Sequence, residues 1–321
     1  MRMPKGLRRV LIAFIALIVL VFAVLLLFSR QPIAILSLFI LKPFTNTRLL
    51  RTILDAAAPQ LLCGLGVAVT FRAGLFSLAG EAQVYIGMLA SAVLAKLAEQ
   101  AGLSPAIVLG AGLSAGVLAS LAATLPIAAV GRLERNNVLL ISFMVSQGLV
   151  FLIDGFIAGP FRDSSNNLVA TPMFAARLPQ VPFLLNTSMA LVLAVIINII
   201  MWFVMERTAF GLTLTMYGRN ERYALLQGYS TGFLSWFPLM LSGALHGLAG
   251  SLMVSSSYGR VIRGLSGGMG WNAIDIALIA ANKPAYIPVA ALLFSWLDTM
   301  TQYTVALGDL SFSGTDRKSG V

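Results

Sequence analysis

Long apolar stretches recur along this chain, separated by short polar connections. The cleanest covers residues 10–28, and others fall at about 53–70, 81–97, 106–130, 138–157, 187–205, 233–254, 271–281 and 285–303. A membrane-crossing helix needs about 20 mostly apolar residues. The pattern therefore predicts an all-α polytopic membrane protein with about 8–9 transmembrane helices, some short or broken near the centre. Residues 31–50, with Pro32, Lys42 and Pro43, read as an external connection along the interface. Two further connections are long and polar. One, 158–183, contains GPFRDSSNNLVATP and reads as a structured loop; the other, 206–231, contains ERTAFGLTLTMYGRNERYALLQGYST.

Arg2, Lys5, Arg8 and Arg9 precede the first stretch and place the N-terminus in the cytoplasm. A secretory signal is the rival reading, but the stretch is long for one and Ser29-Arg30-Gln31 is a poor cleavage site. Counting crossings from a cytoplasmic start puts the first polar connection outside and the second inside. Lys42, Arg48, Arg51, Arg162, Arg177, Arg260 and Arg263 fall on segments placed outside, so orientation rests on the first helix. The chain reads as one membrane domain, 10–303, with a cytoplasmic tail at 1–9 and a polar tail at 304–321.

Composition agrees. Of 321 residues, 58% are hydrophobic and 11% charged, against about 25% charged in soluble domains. Too few charges remain to make a water-facing skin, so the lipid bilayer is the solvent. The net charge of +10 lies in short segments between apolar runs. It suits headgroups and loop orientation and leaves no basic face for nucleic acid. A single cysteine, Cys63, and a single histidine, His246, exclude an internal disulfide, a zinc site and a Ser-His-Asp triad. No metal, catalytic residue or cofactor is expected.

Polar residues inside apolar stretches are costly and usually face a cavity or a partner. FRAGLFSLAGEAQVYIG, 71–87, carries Arg72, Glu81 and Gln83 between two spans, with Gly74 and Gly80 bracketing a short apolar piece. A broken, pathway-lining helix fits it, and so does an ordinary interfacial turn. GLSGGMGWNAIDIALIAANKP, 264–284, leads through four glycines into an apolar piece too short to span, bearing Asn272 and Asp275. Paired Gly-interrupted short segments point to a transport site; a hairpin with Asp275 at the interface is the other reading. His246, among Gly243, Ala244, Gly247 and Gly250, suits close helix packing. MYGRNERYALLQGYS, 216–230, is a short amphipathic stretch opened by Arg219, Glu221 and Arg222 and ended by Gly228, fit for docking a cytosolic partner or for a solvated loop.

From about Leu50 to Asp298 the chain resembles permeases of the nucleoside and simple-sugar branch of ABC importers. FRAGLFSLAGEAQ is similar to their RAGLFNIGAEGQ. ERNNVLLISFMVSQGLVFLIDG, GPFRDSSNNLVATP, ERTAFGLTLTMYGRNERYALLQGYS, SGALHGLAGS and GWNAIDIALIAANKPAYIPVAALLF follow in the family's order. The resemblance implies a type II importer-like helical permease that pairs with a second permease. Cytosolic ATPase subunits drive it and an external substrate-binding (lipo)protein supplies it, in a cytoplasmic (inner) membrane. It places Arg72, Glu81, Gln83 and Asn272 on or beside the translocation path, and the segment bearing Arg219, Glu221, Ala224 and Gly228 in a groove of the ATPase. At Asp275 the family is usually apolar, which makes that residue a candidate for specificity. IAANKP lacks an arginine common in the family, and beyond Tyr303 stands GDLSFSGTDRKSGV in place of a further apolar span.

A P-loop needs glycine directly before its lysine, and none of Lys5, Lys42, Lys96, Lys283 or Lys318 has one. ATP hydrolysis is expected on a separate subunit. The expected function is alternating access for a small polar solute: a nucleoside, a riboflavin-like ligand or a simple sugar. The alternative is an ion-coupled secondary transporter with Asp275 or Glu81 as its acid. An enzyme of lipid-linked substrates fits poorly, because the twelve acidic residues are scattered singly.

Overall fold

The computed structural model describes residues 32–133, 137–165 and 167–306, with the isolated positions 19, 20 and 23. The stretch at 10–28, apart from those positions, and the tail beyond 306 lie outside the described residues. The segment 31–50 is not a connection. It forms helix α1, Pro32–Thr45, and leads into α2, Thr47–Arg72. Asn46 makes the break: its side chain accepts from the N–H of Arg48 at 3.0 Å and of Leu49 at 3.4 Å, satisfying donors that a helix start leaves open. Pro32 stands at the first helical position, where its missing N–H costs nothing.

The chain continues through α3 (Gly80–Gln100), α4 (Pro105–Leu133) and α5 (Val138–Ala158). A two-residue ribbon, β1 (Gln180–Val181) with β2 (Thr187–Ser188), precedes α6 (Met189–Arg207). Then come α7 (Ala209–Arg219), α8 (Glu221–Leu226), α9 (Thr231–Leu234), α10 (Phe237–Met253) with a π-turn over Val254–Tyr258, α11 (Met269–Ile279) and α12 (Ile287–Ala306). Among the described residues six helical segments are long and apolar enough to cross a membrane: α2 to α6 and the 231–258 segment. The protein is an all-helical, multi-pass membrane protein.

Burial sorts these segments. In the most apolar window of α2, 78% of residues are buried, against 22% in α4 and in α5. Helices α2, α3 and α10 thus form the interior. Leu118, Leu125, Phe151, Leu152, Ile199 and Phe203 of α4, α5 and α6 are exposed, as lipid-facing side chains are.

The interior helices touch through small residues. A Cβ on Gly87 of α3 would lie 2.8 Å from the Cα of Gly247 on α10, and one on Gly116 of α4 would lie 2.6 Å from the Gly87 carbonyl. Close backbone approach of this kind replaces the hydrophobic drive that lipid cannot supply. Hydroxyls fill the seam: Ser120 donates to the Gly243 carbonyl and Ser251 to that of Gly247, each at 2.7 Å.

The polar connection at 158–183 is a structured loop, as its composition predicts. A bridge pairs Ala170 with Ile262. Thr171 N donates to Val261 O, Phe174 N to Gly259 O and Leu178 N to Ser255 O. These bonds stitch the loop to the segment that follows α10.

Gly87→Ala is expected to lower stability by about 1–3 kcal/mol through overpacking. Gly148→Ala on α5, where an added methyl meets nothing within 4 Å, is expected to raise it by up to about 1 kcal/mol from helix propensity. Thermal unfolding of the two purified variants in detergent reads both signs.

Candidate functional site

Two helices begin inside the bundle. The chain leaves α2 at Arg72 and turns at Gly74, whose φ is 66°. It then runs back through 73–79 to start α3 at Gly80. Gly66 and Gly80 both pack on the His246 ring, with added Cβ atoms 2.7 and 2.9 Å from it. Helix α3 therefore starts level with Gly66, about two turns short of the end of α2. The second is α11, which has only 11 residues, about 16 Å of rise. It is preceded by Gly267 and Gly268 in left-handed conformation.

Glu81 joins the two starts. Its side chain lies in the first turn of α3 and is buried. One carboxylate oxygen accepts from Gly268 N at 3.1 Å and the other from Gly270 N at 2.8 Å. Those N–H groups open α11 and have no partner within that helix. The carboxylate also sits at the positive end of both helix dipoles. Gly270 admits the contact because a Cβ there would overlap the Glu81 backbone.

Neighbouring polar groups lock the same junction. Gln83 Nε2 donates to Thr124 Oγ1 at 2.8 Å, and that hydroxyl donates to Ser120 O at 2.7 Å. Tyr85 OH donates to Asp154 at 2.6 Å and accepts from Gly264 N at 2.9 Å, while Arg263 pairs with the same Asp154 at 3.4 Å. His246 Nδ1 lies 2.8 Å from Ser242 O, which fits its expected packing role.

Beside the α11 start lies a cavity of about 580 Å³, bounded by α2, α12, the π-turn and the 264–269 segment. Its volume is that of a small-molecule site. Asn272 lines it, as do Asp55, Gln60, Tyr258, Asp298 and Gln302. Sequence reading missed Gln60, whose signal was an amide inside an apolar span. Asp298, an exposed residue near the end of its apolar stretch, was not singled out as a site residue either. Of the other expected pathway residues, Glu81 and Gln83 are buried in the junction and Asp275 is on the exposed face of α11. Arg72 reaches elsewhere, donating to Met205 O at 3.1 Å and Glu206 at 2.6 Å. Among the described residues no group of three or more His, Cys, Asp or Glu is placed to hold a metal.

Arg72 also marks the end of the bundle that carries α7 and α8. A Cβ on Gly218 of α7 would overlap the Arg72 carbonyl. Asn220 caps α8 by accepting from Tyr223 N at 3.0 Å. Ala224 is buried against the bundle, while Tyr223, Leu225 and Leu226 are exposed, the last at 84%. Gly228 closes the helix with a φ of 80°. Of the segment read as a docking helix, Arg219 and Glu221 thus flank the Asn220 cap, Ala224 anchors α8 and Gly228 terminates it.

Glu81→Gln keeps the shape of the side chain but turns an amide N–H toward one glycine N–H. It is expected to cost about 1–3 kcal/mol, the penalty of an unsatisfied buried donor. It should also speed amide exchange across 264–272 while leaving α4 unchanged. Thermal unfolding and hydrogen exchange of the purified variant check both.

Comparison with known proteins agrees with this architecture. The chain is 28% identical to a probable riboflavin import permease of Treponema pallidum over 288 residues, 88% of this chain and 75% of that protein. It is 27% identical to a glucose ABC transporter permease of Haloferax volcanii, covering 83% and 73%. It is 23% identical to a guanosine ABC transporter permease of Bacillus subtilis, covering 74% and 69%. No solved structure matches the chain. The family model for the branched-chain amino acid transport system/permease component matches residues 49–312, and the chain belongs to that family.

Proposed function

We propose that this permease component is the translocation subunit of an ATP-driven ABC importer for a small polar solute. The solute class is nucleoside, riboflavin-like or simple sugar, the classes named for its relatives. The observation that carries the reading is the junction at Glu81. Two helix starts meet inside the bundle and the second, that of α11, borders a polar cavity, the arrangement that lets non-helical backbone survive at membrane depth.

The full scheme follows from that reading. The fold is a type II importer-like permease with 8–9 crossings and a cytoplasmic N-terminus, so α7 and α8 face the cytosol. A second permease completes the path, and a substrate-binding (lipo)protein docks on the opposite face near the stitched loop. Two ATPases hold α8 through Tyr223, Leu225 and Leu226, with Arg219 and Glu221 at its entry. Closure of the ATPases moves α8 and, through Gly218 on Arg72, the end of α2 from which the chain turns back to α3. Arg72, Glu81 and Gln83 then hold the moving parts together. Asn272 contacts the solute, and Asp275, exposed on α11, faces the space shared with the second permease.

Purification of the tagged chain from native membranes tests this. A P-loop ATPase and a second permease are expected to accompany it. Glu221→Ala and Gly228→Asp should reduce the recovered ATPase on the order of tenfold, equivalent to about 1.4 kcal/mol of binding. A chain that purifies alone and transports on an ion gradient would be a secondary transporter instead.

A further inference from the structure

The cavity beside α11 is one-sided in charge. Two carboxylates line it, Asp55 and Asp298, and no lysine or arginine among the described residues does. Asp55 is already engaged: it accepts from Ser188 N at 2.7 Å and pairs with Arg51 at 3.5 Å. Among the described residues Asp298 has a neutral hydrogen-bond partner, Gln302, at 3.1 Å and no ion pair. Asp298 therefore sets the charge of the cavity.

The wall between the carboxylates is built for hydrogen bonding as well. Gln60 of α2 is 2% exposed, lines the cavity, and has a buried Oε1 without a partner among the described residues. A buried amide oxygen left unpaired is costly and calls for a donor. Asn272, half-buried, stands on α11, and Tyr258 adds an apolar ring. The set is thus two carboxylates, an orphan amide and an aromatic wall around a space that holds a ring system or a sugar.

We infer that this cavity is a solute subsite within a single permease, and that Asp298 and Gln60 make it select uncharged or cationic solutes rich in hydroxyl or N–H donors and reject their phosphorylated forms. The inference rests on the importer reading and deepens it. Hydroxyl and N–H donors satisfy the Gln60 oxygen and the Asp298 carboxylate. A phosphate brings like charge to Asp298 and finds no cation lining the cavity, so its desolvation goes uncompensated.

The test uses the full chain in detergent, with Asn272→Cys or the more exposed Gln302→Cys as reporter. Cys63 is fully buried and contributes little background. Labelling rates with a cationic and an anionic methanethiosulfonate are compared with the same pair at Ser104→Cys, an exposed position in the turn before α4. The normalised cation-to-anion ratio is expected to be about tenfold or more, the lower range for charge focusing in a cleft. Adding Asp298→Asn should return it to near unity. Riboflavin, guanosine and glucose at millimolar concentration are then offered as protectants. At least one should slow labelling, its monophosphate should not, and Gln60→Leu should remove the protection. A ratio near unity, a ratio indifferent to Asp298→Asn, no protection by any neutral probe, or equal protection by a monophosphate would overturn the inference. None of these readings depends on an ATPase, so failure of the importer scheme would show in co-purification and leave the labelling pattern intact.

Discussion

A single buried carboxylate, Glu81, joins the two helices of this protein that begin inside the bundle. Backbone that leaves helical form inside a bilayer must find partners within the protein, because hydrocarbon offers none. The start of α11 is such a place, and Glu81 answers it with one oxygen for Gly268 and one for Gly270. The carboxylate is in turn tolerable because it sits at the positive ends of two helices. Glycine at 270 is required by the same contact, since the α3 backbone occupies the space of a side chain there.

The other polar groups make sense around that junction. Gln83 with Thr124 ties α3 to α4, and Tyr85 with Asp154 and Gly264 ties α3 to α5 and to the approach to α11. Arg72 holds the end of α2 to the end of α6. Arg72, Glu81 and Gln83 thus each hold two helices together. The cavity is lined instead by side chains from α2, α11 and α12, only one of which, Asn272, was singled out from the sequence.

Much of this was legible in advance where composition alone decides. Lack of charge specifies the bilayer as solvent, and glycines beside polar residues make a broken helix one of two readings at 71–87 and at 264–284. The polar 158–183 stretch is a structured loop, as expected, because prolines and polar residues bar it from spanning. The same reasoning failed at 31–50, where Pro32 and Pro43 look like breakers. Pro32 in fact opens α1, and the cap that starts α2 is Asn46, a residue with no signal in an apolar window. Gln60 and Asp298 were not singled out as site residues for a related reason. One amide in an apolar span and one acid near its end look alike whether they face lipid headgroups, a neighbour or a cavity.

The sequence by itself determined the solvent and the helical class, and narrowed the places where helices could be interrupted to two glycine-rich segments. These depend on local hydropathy and on glycine content, which no distant contact changes. Only the tertiary structure decided that Glu81 meets Gly268 and Gly270, that Arg72 pairs with Glu206, and that Asp298 lines the cavity. Those outcomes depend on pairings between residues far apart in the chain, and a side chain's partner is set by how helices pack, not by the residues beside it.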